Sequence, residues 1–210
     1  MARLNVVFDF GAVLFTWEPR KLLAQIFPQH ADTDAKAAVL ATEVFSHPDW
    51  HAFDSGRMTQ ADVTQRTHLR TGLDLPTLAH MIDSIGARLQ PIGSSVAVLA
   101  DLHARRQAGA DVGLFFLSNM PEPYARVLER SHVFMDWFDD GIFSGDVQLI
   151  KPDAAIFELA TQRFGLRGDN TLFIDDLQSN IDASITHGWQ GVHLPDPGAL
   201  SGLLRAKIPL

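Results

Sequence analysis

Residues 4–11, LNVVFDFG, contain the first predicted strand of the fold and the start of the loop that follows it. The first five of these residues are almost continuously apolar, which is typical of a parallel strand buried on both faces. This strand is predicted to end where Asp9 and Gly11 begin a loop. The same pattern, a short apolar run followed by polar or turn residues, recurs at Val112–Leu117 before Ser118-Asn119, at Thr171–Ile174 before Asp175-Asp176, and at Gly191–Leu194 before Pro195.

Helical patterns lie between the later strands. Ser94 or Ser95 can cap a helix before the second strand, and Pro152 is predicted to open another helix that Gly165 ends. Strands that alternate with helices predict an α/β fold with a doubly wound parallel sheet.

Residues 15–90 break this alternation. They are mostly helical in pattern and carry turn signals at Pro28, Asp54-Ser55-Gly56 and Leu75-Pro76. We therefore predict two domains. An α/β core is formed by residues 1–14 and 91–210, and a helical cap of residues 15–90 is inserted after the first strand.

Composition limits the possible functions. A formal net charge of -8, with no basic cluster beyond Arg105-Arg106, argues against a nucleic-acid partner. No apolar stretch reaches membrane-spanning length, so we expect no membrane partner. The chain has no Cys, which excludes disulfides and thiolate chemistry and fits a reducing compartment. We expect a cytoplasmic enzyme or binding protein.

Polar residues follow three of the predicted strands: Asp9, Ser118-Asn119 and Asp175-Asp176. Ligands of an open parallel sheet bind outside the carboxyl ends of its strands, so these residues are expected to converge. Lys151 precedes the last of these strands. Carboxylates that lie close together repel one another unless a cation compensates them. Carboxylate, carbonyl and water oxygens are the ligands that magnesium prefers, so we expect Mg²⁺ as the cofactor.

In this order the motifs resemble those of the haloacid dehalogenase (HAD) superfamily. The residues that carry the resemblance are Phe8-Asp9-Phe10-Gly11-Ala12-Val13-Leu14, Leu117-Ser118-Asn119, Lys151-Pro152-Asp153, Ile174-Asp175-Asp176 with Asn180, and His187-Gly188-Trp189. The insertion lies where that family places a helical cap. The resemblance implies a Rossmann-like core and hydrolysis of a small phosphorylated metabolite. The segment Trp50…Phe53-Asp54-Ser55-Gly56 is similar to the α-glucose-1-phosphate phosphatase-like branch.

The resemblance also implies residue roles. Asp9 is expected to attack phosphorus and form an aspartyl-phosphate. Ser118 and the backbone N–H groups after it would hold the phosphoryl oxygens, and Lys151 would neutralise the charge of the transferring group. Asn119 is expected to bind substrate.

The resemblance further places magnesium between Asp9, the carbonyl of Gly11 and Asp176. Asp175 would orient Lys151 or a metal-bound water, with Asn180 as support, and the roles of Asp175 and Asp176 could be reversed. From the cap, Trp17, His51 and Asp54 are expected to contact substrate.

Gly11 departs from the family pattern, because most phosphatases of this superfamily carry an Asp two positions after the nucleophile as general acid and base. Such catalysis is worth ~10²–10⁴-fold. Three functions therefore compete: a phosphatase whose leaving group is good or whose acid comes from the cap, a 2-haloacid dehalogenase that uses Asp9 on carbon, and a non-catalytic phosphate-binding or partner-binding protein. The sequence leaves open a sugar phosphate, a nucleotide or a small organic phosphate.

Overall fold

In the computed structural model, which describes residues 3–207, the strands form one parallel sheet in the order β3-β2-β1-β4-β5. Each neighbouring pair of strands is parallel. The strands are β1 (Leu4–Phe8), β2 (Val112–Ser118), β3 (Asp140–Phe143), β4 (Thr171–Asp175) and β5 (Gln190–His193).

Helices fill the connections. Between β1 and β2 lie α1 (Pro19–Ile26), α2 (Asp34–Phe45), α3 (Pro48–Asp54), α4 (Gln60–Thr71), α5 (Leu75–Arg88) and α6 (Gly93–Gln107). After β2 come α7 (Glu122–Ser131), α8 (Ser144–Val147), α9 (Ala154–Phe164), α10 (Gln178–Thr186) and α11 (Leu200–Lys207). Short 3₁₀ helices occur at Val133–Trp137, Gly168–Asn170 and Pro197–Ala199. Every helix within residues 3–207 is too short or too polar to cross a bilayer.

Both faces of the sheet are buried, as the apolar runs predict. Side chains alternate across a strand, so Val6 and Phe8 pack with α6 on one face, while Val7 packs with Phe157 of α9 on the other. Helices therefore cover the sheet on both sides. The doubly wound α/β fold predicted from the sequence is confirmed.

The segment of residues 15–90, hereafter the cap segment, leaves and rejoins the sheet at one place. The backbone N–H of Thr16 donates to the carbonyl of Gln90 over 2.8 Å, and that of Ile92 donates to Leu14 over 2.8 Å. Helices α1 to α5 lie between these two connections. The pairing holds both ends of the segment beside the loop that follows β1. The division into cap and core stays a prediction, and this pairing supports it.

Strand β3 is absent from the strands predicted by sequence. Gly141 interrupts its apolar pattern, and the structure shows why a glycine stands there. A Cβ at Gly141 would come within 2.0 Å of the ring of Phe116 on the neighbouring strand. The ring of Phe116 packs so closely against this backbone that position 141 has no side chain. The apolar pattern that would predict an edge strand is therefore interrupted.

Two helices begin at residues other than those predicted. Helix α9 begins at Ala154, because Pro152 lies in a turn closed by a hydrogen bond from Asp153 N to Ile150 O. Helix α6 begins at Gly93, and neither Ser94 nor Ser95 caps it.

The loop after β1 contains a residue under local strain. Ala12 has a φ of 55°, in the left-handed region that disfavours a Cβ atom. Replacing Ala12 with Gly should raise the free energy of unfolding by about 0.5–1 kcal/mol. The control, Ala97→Gly on the exposed side of α6, should lower it by about 1 kcal/mol. Urea denaturation measures both free energies of unfolding. If Ala12→Gly lowers this free energy as much as Ala97→Gly does, Ala12 is not strained.

Candidate active site

The predicted chemical residues meet at the carboxyl edge of the sheet. Asp9 follows β1, Ser118 ends β2, and Asp175 ends β4. These are neighbouring parallel strands, so their ends lie side by side. Carboxylate oxygens of Asp9, Asp175 and Asp176 lie within 4.8 Å of one another. The edge therefore carries a compact acidic cluster, with the buried Ser118 beside it.

Lys151 lies between two of these carboxylates. Its Nζ is 2.9 Å from Oδ1 of Asp9 and 2.7 Å from Oδ2 of Asp175. All three side chains are buried, so water screens their interaction only weakly. The ammonium links the predicted nucleophile to the predicted metal-binding pair.

Asn119 holds the backbone of Lys151 in place. Its Nδ2 donates to the carbonyl of Lys151 over 2.9 Å, and the backbone N–H of Lys151 donates to its Oδ1 over 2.9 Å. This two-bond contact occupies both ends of the side-chain amide. Positioning of Lys151 is the role that the geometry favours for Asn119, and binding of substrate stays a prediction.

Asp175 and Asp176 differ in how their carboxylates are engaged. Both oxygens of Asp175 accept hydrogen bonds from Asn180 at 3.0 Å, and Oδ1 also accepts from the backbone N–H of Leu177 at 2.8 Å. Asp175 is fully buried, whereas Asp176 is partly exposed. The carboxylate of Asp175 is thus occupied by contacts within the protein, including the ammonium of Lys151, and the choice of Asp176 as the direct metal ligand stays a prediction.

Burial and neighbouring charges shift the pKa values of these groups. Burial raises the pKa of Asp9 to about 6, an effect that Lys151 opposes and Asp175 increases. Burial, followed by the charges of Asp9 and Asp175, raises the pKa of Asp176 to about 7. Burial alone would lower the pKa of Lys151, but the carboxylates of Asp175 and Asp9 outweigh it and raise that pKa. The lysine therefore stays charged.

The donor set fits a hard divalent cation. Three carboxylates face one ammonium, so the ionised cluster carries an excess of negative charge. Oδ1 of Asp9 is buried, and the ammonium of Lys151 at 2.9 Å is the cation that compensates it. Oxygen ligands of this kind suit Mg²⁺. Gly11 stands two residues beyond Asp9, and ligation through its carbonyl stays a prediction.

Of the cap-segment residues predicted to contact substrate, Trp17 lies beside the nucleophile loop. A Cβ built on Gly11 would be 3.8 Å from Cβ of Trp17, an ordinary contact distance. The indole packs edge-to-face against Phe45, with ring centroids 5.0 Å apart. Trp17 also lines a cavity of about 260 Å³ together with Leu22 and Ile85.

His51 and Asp54 lie on α3, and within residues 3–207 neither makes a hydrogen bond or ion pair with Asp9 or Lys151. His51 is exposed. Burial raises the pKa of Asp54 well above its usual range, although a hydrogen bond with Trp50 opposes the shift. A carboxyl group whose pKa is raised holds its proton to higher pH, which is the direction that a proton donor requires. Contact of either residue with substrate stays a prediction.

Ser144 was not among the site residues predicted from the sequence. It is fully buried at the start of α8. Its Oγ accepts a hydrogen bond from the backbone N–H of Met120 over 2.8 Å. The backbone N–H groups after Ser118 were predicted to hold phosphoryl oxygens, and that of Met120 is instead bonded to Ser144. Ser144 follows the unpredicted strand β3, and nothing in the local sequence marks it.

Removing the ammonium should unbalance the buried charges. We expect Lys151→Met to lower the free energy of unfolding by about 3–5 kcal/mol, because Asp9 and Asp175 lose their shared partner. The control is Lys21→Met, which removes an exposed lysine paired with Glu18 and should cost no more than about 1 kcal/mol. Urea denaturation at pH 7 measures both free energies of unfolding. Similar losses of stability in the two variants would refute a stabilising role for the contacts of Lys151 with Asp9 and Asp175.

Known proteins resemble this chain over all or part of its described fold. It is 27% identical over 203 residues to the sesquiterpene phosphatase astK of Aspergillus oryzae, covering 96% of this chain and 95% of that protein. An (S)-2-haloacid dehalogenase of Pseudomonas fluorescens is 32% identical over 125 residues, 59% of this chain and 52% of that protein.

A HAD family enzyme from Bacteroides thetaiotaomicron, solved as a magnesium complex, shares the fold. The TM-score is 0.72 at 18% identity, covering 97% of this chain and 98% of the other. The sequence model of haloacid dehalogenase-like hydrolases matches residues 6–188. These residues include the nucleophile loop, Lys151 and the Asp175-Asp176 pair, so the match spans the whole acidic edge. The chain belongs to the haloacid dehalogenase-like hydrolase family.

Proposed function

We propose that this protein is a magnesium-dependent phosphatase that hydrolyses a small phosphate monoester. The observation that carries the proposal is the cluster of Asp9, Asp175 and Asp176, with the ammonium of Lys151 between the first two. Similarity over nearly the full length of a sesquiterpene phosphatase supports the same reaction class.

Asp9 is the nucleophile in this proposal. Its carboxylate attacks the phosphorus in line, the bond from phosphorus to the leaving oxygen breaks, and an aspartyl-phosphate forms. Water then attacks the same phosphorus and releases inorganic phosphate and the free carboxylate. Each displacement is easier than direct hydrolysis.

Lys151 and Ser118 stabilise the transferred group. The ammonium of Lys151, 2.9 Å from Asp9, lies where negative charge moves from the carboxylate to the phosphoryl oxygens. The hydroxyl of Ser118 donates a hydrogen bond to one of those oxygens. Magnesium held by Asp9 and Asp176 would neutralise the phosphoryl charge and orient the group for attack.

Gly11 and Trp17 bear on the choice of substrate. Gly11 cannot transfer a proton, so the leaving oxygen must depart largely unprotonated or take its proton from water or from the cap segment. Leaving groups of low pKa are therefore favoured, as in acyl, aryl and anomeric sugar phosphates. Trp17 lies beside Gly11 and would contact the departing group. A sesquiterpene alcohol, the kind of product that the name of the Aspergillus relative implies, is a poorer leaving group, so its release would need a proton from water or from the cap segment.

A 2-haloacid dehalogenase is the second candidate, favoured by similarity to the enzyme of Pseudomonas fluorescens. In that reaction Asp9 would attack carbon, and halide would leave without protonation. The paired acids weigh against it, because Asp175 and Asp176 would repel a carboxylate substrate next to Asp9. A non-catalytic phosphate-binding protein would have no need of the full set of charged residues.

A panel of phosphate esters with magnesium tests the reaction class. The panel contains p-nitrophenyl phosphate, acetyl phosphate, glucose 1-phosphate, glucose 6-phosphate and farnesyl phosphate, with 2-chloropropionate alongside. We expect phosphate release from the activated esters, no halide release, and loss of turnover in Asp9→Asn. Halide release without phosphate release would establish the dehalogenase, and binding of phosphate without turnover would establish the non-catalytic function.

Metal dependence provides a separate prediction. Activity should disappear in EDTA and return with added Mg²⁺. Asp176→Asn should raise the magnesium concentration required for half-maximal activity, because a charged ligand becomes neutral. Asp182→Asn, an exposed change on α10, is the control and should leave that concentration unchanged. Undiminished hydrolysis in EDTA would disprove the proposal that the enzyme needs magnesium.

Gly11→Asp should restore the missing proton transfer. The backbone at Gly11 lies outside the left-handed region, and an added Cβ meets only ordinary contacts with Trp17, so the loop can accept the side chain. Hydrolysis of alkyl phosphates should rise more than that of aryl phosphates, because a poor leaving group gains most from protonation. The ratio of kcat/KM for glucose 6-phosphate over p-nitrophenyl phosphate measures this, and an unchanged or lower ratio would contradict the role given to Gly11.

A further inference from the structure

Ser144 bonds to two parts of the chain that are distant in sequence. Its Oγ accepts from the backbone N–H of Met120 over 2.8 Å and donates to the carbonyl of Asp54 over 2.6 Å. Met120 lies two residues beyond Ser118, and Asp54 ends α3 in the cap segment. One buried hydroxyl therefore connects the cap segment to the loop that begins with Ser118.

The backbone around Ser144 is packed closely on both sides. A Cβ at Gly145 would lie 2.7 Å from the backbone nitrogen of Glu122, and a Cβ at Gly56 would lie 2.4 Å from the carbonyl oxygen of Gly145. Arg57 of the cap segment also donates from Nε to the carbonyl of Gln148 over 3.2 Å. Residues 54–57, 120–122 and 144–148 therefore meet closely, with no room for a side chain at Gly56 or Gly145.

The hydroxyl of Ser144 has only one proton to donate. With Asp54 in place, the proton points to a strong acceptor at 2.6 Å and leaves an oxygen lone pair for the N–H of Met120. Without Asp54, the remaining acceptor is the carbonyl of Met120 at 3.5 Å, a distance at which a hydrogen bond is weak. The orientation of the hydroxyl thus depends on the position of the cap segment.

We propose that Ser144 is a positioning residue that couples docking of the cap segment to the order of the loop of residues 118–120. That loop carries Ser118, which binds the phosphoryl group, and Asn119, which holds the backbone of Lys151. When the cap segment docks, the contact through Ser144 aligns both groups with Asp9. The expected effect on kcat/KM rests on the proposed phosphatase function, whereas the expected effect on the order of the loop does not.

Ser144→Ala tests the coupling, and Ser95→Ala is its matched control. Both serines are fully buried, and Ser95 Oγ has no hydrogen-bond partner within residues 3–207. We expect Ser144→Ala to lower kcat/KM for p-nitrophenyl phosphate on the order of tenfold, mainly through kcat, and Ser95→Ala to leave it within about twofold. Hydrogen–deuterium exchange should increase in residues 54–57 and 118–122 of Ser144→Ala, with exchange in β1 and β4 unchanged.

A second pair of variants tests the coupling from the cap segment, whether or not Ser144→Ala folds. Gly56 and Gly72 have φ values of 68° and 71°, but only Gly56 contacts Gly145. Alanine strains the backbone at either position because φ is positive at both. We expect hydrogen–deuterium exchange in residues 118–122 to increase only in Gly56→Ala. If the two variants give equal exchange there, the coupling is refuted. If the wild-type protein hydrolyses no ester, the proposed function fails, while the exchange data still decide the role of Ser144.

Discussion

The ammonium of Lys151 lies between the buried carboxylates of Asp9 and Asp175, and the other groups of the site are arranged around that contact. Without it, three acidic side chains would face one another with little water to screen them. Asn119 fixes the backbone of the lysine, and Asn180 fixes the carboxylate of Asp175. In the proposed reaction, Asp9 and Asp176 are the carboxylates that would face a metal ion and a phosphate group.

The sheet makes this arrangement possible. Parallel strands bring their carboxyl ends to one edge, so residues more than a hundred positions apart in the chain become neighbours. The cap segment joins at the same edge through the backbone pairing of Leu14 and Thr16 with residues 90–92. The part of the chain expected to select the substrate therefore begins a few residues from the nucleophile, and Trp17 lies in that short interval.

Much of this arrangement follows from sequence, because apolar runs that end in Asp or Ser mark strand ends directly. The bounds of β1 and the neighbouring positions of Asp9, Ser118 and Asp175 were predictable in this way. Strand β3 was not, because Gly141 makes room for the ring of Phe116 and so interrupts the apolar pattern. The contacts of Asn119 and Ser144 depend on how loops fold over one another, which no local pattern encodes.

Trapping the covalent intermediate tests whether Asp9 accepts the phosphoryl group. The protein is mixed with p-nitrophenyl phosphate and Mg²⁺, quenched in acid within the first turnover, and digested for mass spectrometry. Because Gly11 supplies no base for the second step, the aspartyl-phosphate should accumulate, and we expect a phosphoryl group on the peptide that contains Asp9. A phosphoryl group on any other residue, or turnover in which no phosphorylated peptide forms, would contradict it.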